Sequence, residues 1–290
     1  MKKILITGAD SYIGKSVECW LNKYPGAYLI DTLDMRNSSW SQTDFSEYEV
    51  VFHVAGLAHV SRNPKLKEQY YLVNRDLTIE AAKKAKQAGV KQFIFMSSII
   101  VYGNSGRIGQ ERIITTDTHE NPADFYGDSK LQAEQGILPL CEDSFHIVIV
   151  RPPMIYGKES KGNYRKLSKL AKKLPFFPNI SNTRSVLHID NLCEFIRLSI
   201  DNDLSGIFYP QNEEYVSTSE MVSAIAHVYG RKIHLTRFFN FALRVLGHVI
   251  GTVNKVFGNM AYSKEMSVYE NVPYCVVDFE ESIRRTEGFT

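Results

Sequence analysis

Tyr126-Gly127-Asp128-Ser129-Lys130 sets a phenol and an ammonium four residues apart. On a helix those positions share a face, so both groups can enter one cleft. A tyrosine that deprotonates an alcohol must first lose its own proton, and the free side chain titrates near ~10. Bringing that value to neutrality means stabilising phenolate by about 4 kcal/mol, three units at ~1.4 each. A lysine cation alongside has the right sign of field for this. A YxxxK pair also occurs as an ordinary surface pair, so its companions matter. Ser97 and Ser98 close the apolar run Phe93-Ile94-Phe95-Met96, 28 residues before Tyr126 in the case of Ser98. In open parallel sheets ligands bind outside the carboxyl ends of strands, so a serine there faces a cleft.

The elements that must position these groups alternate between short apolar runs and longer amphipathic ones, as βαβ units on a parallel sheet do. Strands are expected at Lys3 to Thr7, Tyr28 to Leu33, Val50 to Val54, Gln92 to Ser97 and Phe145 to Val150. Helices are expected at Ser11 to Asn22 and, as one long element ended by Gly89, at Lys65 to Ala88. This predicts an α/β fold, a Rossmann-like doubly wound parallel sheet over residues 1–157. Beyond it, prolines punctuate shorter helices (Asn163 to Lys173, Asp190 to Asn202, Ser219 to Tyr229). Residues 158–290 are therefore expected to form a smaller C-terminal substrate-binding lobe, with some segments returning to the sheet.

Gly8-Ala9-Asp10-Ser11-Tyr12-Ile13-Gly14 follows the first strand and opens the first helix. A pyrophosphate can rest there on backbone N–H groups and the positive end of the helix dipole. Gly8 permits the tight turn, and Gly14 permits close packing of helix on sheet. An acidic group at the end of the second strand would take the adenosine ribose. Asp31 and Asp34 both lie there, with Asp34 better placed at the tip; Arg36 suits a 2′-phosphate instead, so NAD is favoured and NADP stays open.

Together these segments resemble the NAD-dependent epimerase/dehydratase family of extended short-chain dehydrogenases. Thr7 to Gly14 resembles its TGxxGxIG element, with Ser11 in place of the middle glycine. Val51-Phe52-His53-Val54-Ala55-Gly56 resembles the third-strand element, Ser97 to Gly103 the SSxxVYG element, and Arg151 to Gly157 the RPxxVYGP segment. The resemblance implies that Ser98, Tyr126 and Lys130 are catalytic, Ser98 hydrogen-bonding the reacting oxygen, with Ser97 the alternative. It also implies that Gly8, Ser11, Tyr12, Ile13, Gly14, Ala55, Gly56, Tyr126, Lys130 and Pro153 line the cofactor, and that Asp44 and Phe45 flank the adenine. His53 reads as a strand residue.

Lys161-Gly162-Asn163-Tyr164 and Asn182 to Leu192 are similar to segments of nucleotide-sugar epimerases and reductases, in which Asn163 and Arg184 would engage the diphosphate of a UDP- or dTDP-sugar. Sugar dehydratases of the family carry an acidic pair after the serine; Ile99 and Ile100 stand there, which disfavours elimination. Two enzymatic readings remain, a 4-epimerase and a 4-ketoreductase, besides a non-catalytic dinucleotide-sensing regulator. A homodimer through Lys65 to Ala88 and Asp124 to Gln135 is expected by the same resemblance.

A formal net charge of +2 gives no global field for nucleic acid. No run reaches the ~18 apolar residues of a spanning helix. The nearest, Phe238 to Phe257, reads as a docked amphipathic helix, with attachment to a membrane surface as the alternative. Cys19, Cys141, Cys193 and Cys275 lack metal-ligand spacing and read as reduced, buried thiols of a cytoplasmic protein.

Overall fold

The apolar runs become strands in the computed structural model, which describes residues 1–58 and 63–289. Six parallel strands form the central sheet in the spatial order Gly206–Phe208, His146–Val150, Gln92–Met96, Val50–His53, Lys2–Thr7, Tyr28–Leu33. Five are those expected from the sequence, within a residue at each end. The sixth, Gly206–Phe208, lies far along the chain and pairs with His146–Val150. Its three residues are too few to carry a period.

Both faces of the sheet are covered, which is why its strands read as continuous apolar runs. Ile4, Ile6, Phe52 and Ile94 pack on one face with Val17 and Leu21 of the helix Tyr12–Leu21 and Phe195 and Ile196 of Ile189–Asp201. Leu5, Val51, Phe93 and Phe95 pack on the other with Ala81, Ala82 and Ala85, and with Ala133 and Ile137. Each fully buried Val, Leu, Ile or Phe among them contributes about 1.5–3 kcal/mol of transfer free energy.

The chain winds outward from Lys2–Thr7 to Tyr28–Leu33, then crosses back to Val50–His53 on the other side. The strand order therefore reverses between Lys2–Thr7 and Val50–His53, and a crevice opens at the carboxyl ends of such a pair. Gly8 and Ala55 line it.

Three expectations need correction. The helix expected over Lys65 to Ala88 is a composite: a 3₁₀ turn at Pro64–Leu66, α-helix at Lys67–Tyr70, a π turn at Tyr71–Asp76, and α-helix at Leu77–Gln87. Asn74, buried and fully hydrogen-bonded, sits in the π turn. Phe238 to Phe257 is two helices, Asn240–Val249 and Gly251–Phe257, and much of its apolar surface faces solvent. All four cysteines are free thiols, but Cys19 and Cys141 are exposed and only Cys193 is fully buried. Among the described residues no helix is long and apolar enough to cross a membrane.

Candidate active site

The glycine loop is held by its own backbone. Gly8 has φ +83°, and a Cβ there would lie 2.9 Å from the Ala55 nitrogen, so only glycine fits. Ser11 has φ −72°, an ordinary value for any residue, which explains why the missing middle glycine costs the loop nothing. Its hydroxyl caps the helix by accepting from the Gly14 N–H at 2.9 Å. A Cβ on Gly14 would meet that same hydroxyl at 2.6 Å. The loop thus keeps a helix N-terminus open to an anion, and its residues fit a dinucleotide pyrophosphate.

The Gly8 N–H donates to the Leu33 carbonyl, which sets Asp34 beside the loop. Arg36 holds the Asp34 carboxylate in a fork, its Nη2 2.7 Å and its Nε 2.9 Å away, and reaches Asp10 at 2.8 Å. That guanidinium keeps the Asp34 carboxyl below the usual range. Asp31 instead accepts from the Tyr48 hydroxyl and lies near Lys3, within the strand rather than at its tip. Asp44 is exposed and takes the Ser46 N–H, while the Phe45 side chain is fully buried against the sheet. The Phe45 ring is therefore core and offers an adenine no face. Tyr12 and Ile13 are half-buried on the sheet's first face; the Tyr12 hydroxyl is buried without a partner and abuts Gly157. Pro153 is buried, in a segment whose Pro152 carbonyl accepts from the Ile99 N–H.

The catalytic candidates converge. Asp124 caps the helix Phe125–Ile137 by accepting from the Gly127 N–H at 3.0 Å. Gly127 then touches the chain after the fourth strand so closely that a Cβ would lie 2.8 Å from the Ile100 carbonyl oxygen. This approach brings the Tyr126 phenol close enough to the Ser98 hydroxyl for that hydroxyl to favour the phenolate. Burial and the nearby Tyr70 push the phenol up to about 12, while the Ser98 hydroxyl pulls it down.

Ser97 is committed elsewhere. It is buried and donates to Glu134, which Arg151 holds at 2.5 Å; Arg151 also reaches Glu120 at 2.7 Å and the Tyr102 hydroxyl at 2.6 Å. That network is closed, so Ser98 is the serine that faces the cleft.

Lys130 shares the helix face with Tyr126, yet its ammonium is turned away, donating to the Met96 carbonyl at 2.8 Å over the Phe95 ring. Burial lowers it to about 8, with Glu134 opposing the shift. In the protein by itself Lys130 therefore does not depress the phenol as the sequence suggested. A Cβ on Gly56 would approach both Lys130 Nζ (3.3 Å) and Asn74 Oδ1 (3.0 Å), so lysine, asparagine and the Ala55–Gly56 turn form one cluster.

Sequence reasoning missed Asn74. Its amide accepts from the Leu57 N–H at 2.7 Å and donates to the Leu57 carbonyl and to Ser129 Oγ. Ser129 in turn donates to the Tyr126 carbonyl. Asn74 thus ties the crevice floor to the helix that carries Tyr126 and Lys130. The signal for it was a lone amide within an apolar helical period. His53 is structural: buried, bonded to Thr7 and Thr78, and held neutral at about 3 by burial.

At the substrate end, Asn163 is exposed as the first residue of its helix; the N-cap is Gly162, at φ 110°. Arg184 is half-buried and donates to the Lys255 and Gly258 carbonyls at 3.1 and 3.0 Å. Burial lowers it to about 10, and among the described residues no carboxylate pairs with it. Two of its donors are spent on carbonyls of neutral charge, so the cation itself is unneutralised.

A family model described as "NAD dependent epimerase/dehydratase family" matches residues 4–209. A UDP-glucose 4-epimerase of Vibrio cholerae is 33% identical over 249 residues, 78% of this chain and 75% of that protein. Among solved structures, dTDP-4-dehydrorhamnose reductase of Yersinia enterocolitica superposes with TM-score 0.74 at 20% identity, covering 99% of each chain. UDP-glucuronic acid 4-epimerase of Bacillus cereus, solved with NAD, superposes with TM-score 0.73 at 18% identity, covering 98% of this chain and 96% of that one. Glycine loop, Ser98–Tyr126 contact and buried Lys130 all fall within the matched span, and the chain belongs to the NAD-dependent epimerase/dehydratase family.

Proposed function

We propose that this chain is a nucleotide-sugar 4-epimerase that uses Tyr126 as its acid–base. The observation that carries the reading is the convergence of Ser98 on Tyr126, in a helix whose Lys130 abuts Gly56, in the turn that also packs on the Gly8 loop. The similarity to a UDP-glucose 4-epimerase over three quarters of both chains supports it.

The N–H groups at Gly8–Gly14 would hold the pyrophosphate of NAD, and Asp34 its adenosine ribose. NAD held there would supply the reversible hydride acceptor that the reaction needs. Tyr126 Oη takes the proton of the sugar hydroxyl as the C4–H bond breaks, and gives it back after the 4-keto sugar has turned over. Ser98 Oγ donates to the same oxygen and fixes its distance from the phenol. Since the phenol stands near 12 in the protein alone, it works as a base at neutral pH only once positive charge lies beside it. Lys130, one turn along, would leave the Met96 carbonyl to bind the cofactor's ribose. Arg184, unneutralised, would fork onto the sugar diphosphate. Ile99 and Ile100, where an eliminating acid pair would stand, leave the chemistry at hydride and proton exchange.

Arg36, exposed beside Asp34, favours a second reading: an NADPH-dependent 4-ketoreductase run in one direction on the same residues. We further propose a homodimer through the Lys67–Gln87 and Phe125–Ile137 helices, whose outer surface exposes Leu72, and a cytoplasmic setting. The experiment is NMR of UDP- and dTDP-sugars incubated with the protein, with and without added NADPH. Interconversion of 4-epimers without cofactor consumption is expected. Stoichiometric oxidation of NADPH would select the reductase. Tight dinucleotide binding with no turnover of any sugar would select a regulator.

A further inference from the structure

We propose that the helical hairpin Asn240–Val249 and Gly251–Phe257, with the Arg237–Phe239 turn before it, docks on an anionic lipid bilayer. The hairpin already has a core side: Leu243, Val253 and Val256 pack with the buried Phe257 into the second lobe. Yet Phe238, Phe241, Val245 and Val249, spaced three or four residues apart, form a second apolar stripe that faces water. Phe238, Phe241 and Val249 are 86%, 79% and 83% exposed, far beyond what scattered surface residues need.

Charge selects the occupant. Residues 221–264 contain six Lys and Arg and no Asp or Glu; residues 160–189 contain seven and none. The two stretches adjoin, because Phe176–Pro178 of one pairs with His234–Thr236 of the other and Asn240 donates to the Asn179 carbonyl. With a formal net charge of only +2 for the whole chain, the remaining residues are net acidic and the positive potential is concentrated at this end. Arg237 and Arg244 are exposed and flank the stripe. A two-fold pairing of copies through this face would set each cationic patch against itself. An anionic bilayer satisfies both features, with the stripe sunk ~5–10 Å into the headgroup boundary and the arginines on lipid phosphates. The hairpin ends on the Lys255 and Gly258 carbonyls that hold Arg184, so docking would bring the membrane close to the substrate end of the cleft. The docking itself does not depend on which reaction the site performs.

Co-sedimentation of the full chain with phosphatidylcholine vesicles, with and without a third of phosphatidylglycerol, tests this. Anionic vesicles should retain the protein at least about tenfold better than neutral ones at low salt, and high salt should weaken retention. The triple variant Phe238→Ser, Phe241→Ser, Val249→Ser should lose at least about tenfold of that retention while keeping its melting temperature and its turnover of water-soluble nucleotide sugar. Arg237→Gln with Arg244→Gln should lose retention on anionic vesicles alone. Absence of wild-type binding at low salt, or equal retention of the triple variant, would overturn the proposal. So would a dimer in sedimentation velocity that the triple variant abolishes, since a second copy would then be what covers the stripe.

Discussion

The nucleotide-binding half and the two acid-free stretches of the second lobe differ in how they hold arginine. In the first half, positive side chains close onto carboxylates: Arg36 on Asp34 and Asp10, Lys86 on Glu142, Lys91 on Glu49, and the buried Arg151 on Glu134 and Glu120. In the two acid-free stretches of the second lobe, Arg184 rests on backbone carbonyls and Arg237 and Arg244 stand in solvent. A buried closed pair such as Arg151 with Glu134 serves the fold; an open cation is available to an anion that the chain does not supply. The contrast separates a residue whose loss destabilises the protein from residues whose loss weakens a ligand.

The largest expected effect lies at the proposed proton-transfer site, which belongs to neither class. Tyr126→Phe should reduce kcat by about 10²–10⁴-fold. Isothermal titration should show dinucleotide affinity within a few-fold of wild type, because the phenol packs on Tyr70 and Ser98 rather than forming the glycine loop. A variant with wild-type turnover would remove the tyrosine from the mechanism.

Breaking the closed network comes next. Arg151→Met leaves Glu134 buried without its cation, which costs about 3–5 kcal/mol. Urea denaturation should show that loss directly, and a change under 1 kcal/mol would mean that the network is not what holds the strand ends together.

The open cation should behave otherwise. Arg184→Met should raise KM for a nucleotide sugar by about 10–100-fold, the value of one or two charge-assisted hydrogen bonds, with little change in kcat. If stability falls by as much as in Arg151→Met while KM holds, Arg184 is a structural cap of the Gly251–Phe257 helix and the contrast fails.

The smallest effect is a pH slope. Lys130 titrates at about 8 in the folded chain against 10.5 for an ordinary lysine. The unfolded chain then binds more protons between these values, so stability should rise as pH goes from about 8 towards 10.5. Lys130→Met should flatten that rise in thermal melts recorded across the window. An identical slope in the variant would place the lysine in contact with water.

Ser97 and Ser98 show where sequence reasoning stops. Both close the same strand and both are small and polar, so no local pattern separates them. What separates them is Glu134, thirty-odd residues away, which receives Ser97 and leaves Ser98 for Tyr126. Phe45 makes the same point: the resemblance sets it beside the adenine, and only the folded chain shows that its ring belongs to the core. Asn74 went unseen because a π turn adds one residue to a helical period without any mark of its own in the sequence.

What the amino-acid order determined by itself was everything local in origin. The largely apolar strand runs, the glycine that must adopt φ +83°, and the four-residue spacing of phenol and ammonium all follow from periods and backbone sterics within a few residues. Only the tertiary structure decided the rest: which serine meets the phenol, that Lys130 turns to the Met96 carbonyl, and that an apolar stripe stays in water. The partner of a polar group, and the cover of an apolar one, come from chain segments distant in sequence, and their identity is fixed by packing rather than by any local preference.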